Sequence, residues 1–371
     1  MTPFALTTLN RFEHLANIAY VANTPTNLPT QGGQIVDTRW LWGLLLTVEG
    51  RATMPASAGP SALSADGIAQ LIERITVEGT HRVRQRQEKF FDLRGADAKF
   101  LSDLFSLNAL PSLPTTWSFT GSATNDFRFH VLVPFVPMGM PAREGASYLL
   151  DVPNYDTLKL VLQWGDAVSC FGSGTAPALT AYASASGAPQ ARVAGLWALA
   201  GASRFTNRVP GRTFRYFTEV SGSLMTTSAT GQRIIDIPRG NFMRGILLKT
   251  GTKQTVTSGN NAYATLVESV LNNLKVNRGI NRPVRYWPLQ EQIRVENVLA
   301  RGYSRAGYAF IDFAKNSILA ESFDARSLTS GASGQVDFFL EADVTGAANQ
   351  ATLLIWEEIQ NLPLVTTVVS R

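Results

Sequence analysis

An all-β fold of two tandem eight-stranded antiparallel jelly rolls, with short helices in loops, is predicted from three observations. The 371 residues suit two domains better than one. Thirty Gly and 18 Pro, in a chain 45% hydrophobic and only 16% charged, mark many turns between short apolar strands. The second half also repeats the order of the first. No β-α alternation runs along the chain, which excludes doubly wound sheets and (β/α)8 barrels. Two antiparallel sheets packed face to face accommodate about eight short strands per unit.

Element by element, residues 1–33 read as an N-terminal arm, rich in Thr, Asn and Pro over Val21–Thr30. A short helix is expected near Leu9–Tyr20, because Phe12, Leu15, Ile18 and Ala19 share one helical face. Strands are expected at Gln34–Asp37, Trp40–Val48, Ile75–Val83, Phe127–Val136 and Leu158–Trp164 from their β-branched, aromatic and leucine content. Between them a helix is predicted over Ala96–Leu107, where Phe100, Leu101, Leu104 and Phe105 follow a Gly-Ala-Asp start. The Gly/Ala/Ser-rich stretch Phe171–Ser203 reads as the last strand of one copy plus a linker. The expected domains are therefore residues 34–200 and 201–371, behind the arm.

The repeat is read in blocks. Gln34–Asp37 matches Arg233–Asp236, Trp40–Leu46 matches Phe242–Leu248, and Ile75–Val77 matches Leu274–Val276. A helix follows in each copy, the second near Gln290–Leu299. Phe129–Leu132 then aligns with Tyr308–Ile311, Leu158–Gln163 with Val336–Glu341, and Leu179–Tyr182 with Leu353–Trp356. The spacing between copies shortens once, by roughly twenty residues, because the Pro/Ser-rich loop Leu107–Asp126 has only a short counterpart near Ala300–Gly307.

Chemistry is sparse. Net charge is +5 with a pI near 9.4, a mild bias far from the dense basic stripe of a nucleic-acid binder. There is no apolar run of transmembrane length, and no basic segment followed by an apolar block at the start. Synthesis and folding in a cytoplasm is the expectation. One cysteine, Cys170, excludes an internal disulfide framework and reads as a packed thiol. His14, His81 and His130 form no metal-ligand spacing, and no phosphate cradle or nucleophile elbow appears. No cofactor, metal or catalytic residue is expected.

Glu341 and Asp343 share a strand face, with Asp312, Glu357 and Glu358 on other strands, but none shows a facing carboxylate partner. Arg82, Arg84 and Arg86 alternate, so an extended strand would point them to one side, toward a polyanion or toward neighbouring acids. Trp40, Trp42, Trp164, Trp287 and Trp356 fall in or beside strands, where packing explains them better than base stacking. In the arm, Phe4, Leu9, Phe12 and Leu15 are apolar and Arg11 is the only basic residue before Arg39. That composition does not support a polybasic membrane anchor.

Three phrases carry a family resemblance: Phe91–Leu101, leading into the first helix; Leu149–Leu158, a turn before a strand; and Arg233–Pro238, which runs on into Arg239 and Gly240. With the doubled architecture from Gln34 to Pro363, they resemble the double jelly-roll major capsid proteins of tailless, internally membrane-containing bacteriophages, the lineage that includes adenovirus hexon. The resemblance implies a non-enzymatic virion protein. Its homotrimers would present six similar barrels and tile an icosahedral shell, over an internal lipid membrane. Partners implied are neighbouring capsomers, minor capsid and vertex proteins and membrane lipids, with no specific nucleic-acid recognition. The arm residues Phe4, Leu9, Arg11, Phe12 and Leu15 would then touch a neighbouring capsomer or the membrane. A tandem β-sandwich that binds or cleaves glycans is the alternative from another class, and a fibre or spike protein is a further structural one.

Overall fold

A computed structural model describes residues 11–28, 33–35, 39–83, 85–105, 110–137, 148–172, 174–198, 212–217, 231–236, 242–253, 263–278, 283–313, 323–324, 338–345 and 350–361. Side-chain alternation explains the strands. In Thr124–Pro134 every second residue from Asn125 to Val133 is buried, and Tyr155–Trp164 buries Leu158, Leu160, Leu162 and Trp164. A period of two puts those residues on one face, against an opposing sheet.

The first unit contains β1 (Arg11–Ala19), β2 (Pro25–Asn27), β3 (Trp40–Thr53), β4 (Ile72–His81), β5 (Arg86–Leu93), helix α1 (Gly95–Phe105), β6 (Thr124–Pro134), β7 (Leu150–Asp151), β8 (Tyr155–Trp164), β9 (Ala178–Thr180) and β10 (Gln190–Ala198). The second contains β11 (Arg212–Phe217), β12 (Gly231–Asp236), β13 (Phe242–Lys253), β14 (Tyr263–Leu266), β15 (Leu271–Arg278), β16 (Pro283–Leu289), helix α2 (Gln290–Arg301), β17 (Tyr308–Asp312), β18 (Phe323–Asp324), β19 (Phe338–Val344) and β20 (Gln350–Asn361).

The two units have the same strand order. The first stacks β1-β10-β3-β6 against β5-β4-β8-β2; the second has β11-β20-β13-β17 and β16-β15-β19-β12. Among the described residues each set is eight principal strands, with β7, β9, β14 and β18 as short additions beside β3 or β13. All strand pairings among the described residues are antiparallel except one. Tyr216 and Phe217 of β11 lie parallel to Phe91 and Asp92 of β5, which joins a sheet of each unit into one. The fold is a double jelly roll.

Several expectations are corrected. Arg11–Ala19 is a strand paired with β10, not a helix, and β2 pairs with β8, so residues 11–28 belong to the first unit's sheets and do not stand apart as an arm. Strand pairing matches Leu45–Leu132 to Leu247–Phe310, so Tyr308 takes the place of His130, one residue off the sequence alignment. That slip matters because one residue turns a strand's faces over. The counterpart of β20 is β10, which lies beside β3 as β20 lies beside β13; Leu179–Thr180 belong to β9 instead. Arg82 and Val83 form the turn between β4 and β5, with Gln85 at a positive φ of 50°, so the arginines do not line an extended strand; Arg84 lies outside the described residues.

Candidate functional site

The most heavily built place in the molecule is the joint between the two units. Its first wall is α1, whose Gly95 start fits closely against Ile72 of β4. The Gly-Ala-Asp start and the apolar repeat that follows make α1 buried on all sides. One side covers its own unit: Ser102 Oγ bonds the backbone N–H of Leu132 at 2.9 Å and the carbonyl at 3.1 Å. The other side meets the second unit.

The opposing wall is the outer face of β13 and β17. Leu248, Ala309 and Ile311 point into the second unit's own core, so alternation turns Leu247, Lys249, Tyr308 and Phe310 outward. Leu247, Tyr308 and Phe310 belong to the first unit's hydrophobic core. Phe100 stacks on Tyr308 with ring centres 4.2 Å apart, and Phe105 meets Phe310 edge to face at 5.4 Å. Arg244 is fully buried nearby, its guanidinium 4.9 Å from the centre of the Phe105 ring.

Charge is sealed into this apolar joint. Lys249 Nζ lies 2.6 Å from Asp66 Oδ2 and 2.9 Å from Asp97 Oδ1. Tyr308 Oη is 2.8 Å from the Asp66 carboxylate and 3.0 Å from that of Asp97. Arg305 closes the group, 3.1 Å from Asp66, and also donates to the carbonyl of Ala65. Two carboxylates thus face two cations. Burial alone would raise the Asp66 carboxyl, but Lys249 and Arg305 beside it outweigh that and hold it below the usual range. Burial, then the adjoining carboxylates, push the Tyr308 hydroxyl well up, so it stays a proton donor. Such a cluster tolerates only one relative placement of the units, because sliding either wall strands a buried charge.

The residues singled out from the sequence lie elsewhere. Leu15 is half-buried against the core; Arg11 and Phe12 lie in β1 opposite Trp197 and Leu196, while Phe4 and Leu9 lie outside the described residues. Glu341 accepts from Lys275 at 2.8 Å and from Asn277 at 3.0 Å, Asp343 from Asn273, and Asp312 from Arg301. The Cys170 thiol is fully buried and burial pushes its pKa up to about 12. His14 bonds Asn17 and His130 bonds Thr47. Among the described residues no group of three or more His, Cys, Asp or Glu is arranged to hold a metal. No helix among the described residues is long and apolar enough to cross a membrane. Sequence reasoning missed Asp66, Asp97, Lys249 and Arg305. The available signal was Lys249, which ends the apolar run Ile246–Leu248 on the face shared with Leu247.

No protein-family model matches the chain, and no curated protein matches its sequence. Solved structures do match over nearly its whole length. The STIV MCP aligns with a TM-score of 0.61 and 12% identity, covering 98% of this chain and 98% of that one. A chain of Sulfolobus Turreted Icosahedral Virus gives 0.63 and 13%, covering 95% and 91%. The major capsid protein P2 from bacteriophage PM2 gives 0.54 and 10%, covering 94% and 96%.

Proposed function

We propose that this chain is a non-enzymatic major capsid protein whose homotrimers form pseudo-hexagonal tiles of an icosahedral virion shell. The observation that carries this reading is the doubled strand order locked by a sealed joint. Two like barrels fixed side by side let a threefold assembly present six like edges. Likeness of fold, over nearly the full length, to two chains described as major capsid proteins supports it. The chain's work is to hold shape and to bury surface against neighbours. Its partners are then other copies, minor capsid and vertex proteins, and lipids of an internal membrane. We keep the division near residue 200 and start the first barrel at Arg11, since β1 and β2 pair within it. The remaining arm is residues 1–10, assigned to contacts beyond the tile.

The purified chain is expected to run as a species of three times its 40.3 kDa by native mass spectrometry, largely resistant to dilution. In negative stain it should appear as hexagonal tiles. Deleting residues 1–10 should leave the tiles intact and prevent closed shells. A monomer at every concentration, particularly one retained on sugar beads, would refute the reading.

A further inference from the structure

Strand pairing and helix contacts place the two units in residue-by-residue correspondence. With its side-chain amide turned so that the nitrogen donates and the oxygen accepts, Asn297 bonds the carbonyl of Phe310 at 2.8 Å and its N–H at 2.9 Å, as Ser102 bonds Leu132. Ser102 therefore answers to Asn297, and Phe100, Asp103 and Leu104 answer to Val295, Val298 and Leu299. In α1, Phe100 and Leu104 are buried, and Phe100 stacks against the second unit. In α2 the same positions are bare: Val295 is 56% exposed, Val298 45% and Leu299 82%. Beside them on β16, Val284 and Tyr286 are also about half exposed.

The receiving surface has a counterpart as well. The outer face of β13 and β17, covered within the chain, corresponds to the outer face of β3 and β6. There Leu45, Thr47, His130 and Leu132 remain partly exposed. The edges follow the same rule. Strand β5 pairs in parallel with β11, whereas their counterparts β16 and β1 each pair on one side only among the described residues. One surface of the first unit and one of the second are therefore unmatched within a chain, and they are the two halves of the joint already built inside it.

We propose that α2 and β16 of one chain seat on the β1-β10-β3-β6 face of a second copy, repeating between chains the joint made within one. Val295 then lies over His130 of the next copy as Phe100 lies over Tyr308, and β16 runs parallel to β1. The contact is head to tail, so it closes into a ring when its rotation matches the one inside the chain. This rests on the trimeric reading above and names the surfaces that make it.

Pairing Val295→Cys with His130→Cys in one chain tests the register. Native Cys170 is fully buried and does not compete. Mild oxidation should give covalent dimers and closed trimers on non-reducing gels, which revert with reductant. Neither single variant should give them, nor should Val295→Cys paired with Ser57→Cys. Separately, Leu299→Asp should reduce the native mass to one chain while circular dichroism stays unchanged, since that side chain supports no core of its own. Assemblies of normal mass without the 295–130 link, cross-linking equal to the Ser57 control, or an unaltered mass for Leu299→Asp would overturn this docking and leave the capsid reading standing. A wild-type chain that is always monomeric would overturn both.

Discussion

Lys249 decides more than any other single residue. It stands between two carboxylates with almost no access to solvent. Lys249→Met removes a charge that Asp66 and Asp97 need, and stranding buried charge in this way costs about 3–5 kcal/mol. Urea denaturation at neutral pH should show that loss. The effect depends on pH with a definite sign. Asp66 is held below its unfolded value, so its stabilisation is complete above about pH 4 and fades as pH falls through the folded value. The gap between wild type and Lys249→Met should accordingly narrow in strong acid. None of this was legible in the sequence, because Asp66, Asp97, Lys249 and Arg305 come from distant parts of the chain. What could be read was the weak hint of one lysine on an apolar strand face.

At the level of elements, α1 was readable to within about two residues, since a buried helix keeps its three-and-four spacing and α1 begins at Gly95, while α2 was placed by the repeat. That glycine is required by space. A Cβ there would lie 2.4 Å from Ile72 Cβ and 2.7 Å from the Ile72 carbonyl oxygen, and the backbone oxygen has little room to yield. Gly95→Ala should therefore destabilise by about 1–3 kcal/mol despite alanine's better helix propensity, measured as a lowered urea midpoint. Strand β1 was misread for a physical reason. A register shift between His14 and Ala16 interrupts its alternation, and the surviving apolar residues imitate a helical stripe. Arg82 misled similarly, because a tight turn can look like continued strand when its residues alternate. The partly exposed outer faces of β3 and β6 gave no sequence signal, since a docking surface and a solvated one share the same two-residue period.

For the molecule as a whole, duplication was visible as repeated blocks in order, and the shared strand order is its structural form. Block alignment failed where strands slipped by one residue or where an inserted strand such as β9 intervened. Pairing partners, not residue likeness, fix those equivalences. Because the first unit's hydrophobic core includes Leu247, Tyr308 and Phe310 of the second, the two barrels should not melt independently. Scanning calorimetry of the Leu299→Asp variant, expected to be monomeric, should give one transition with equal calorimetric and van't Hoff enthalpies. Two resolved transitions would show that the joint is weaker than its burial implies.

The parallel ladder of β11 on β5 is short among the described residues, Tyr216–Phe91 and Phe217–Asp92, and it joins the same two units as the ionic cluster and the aromatic stack. Strand hydrogen bonds resist shear, while the buried charges resist any opening angle. Each molecule is therefore expected to behave as a stiff plank rather than a hinge. Any closed surface assembled from it must take up its curvature between neighbouring molecules, and changes of radius leave the interior of each one undeformed.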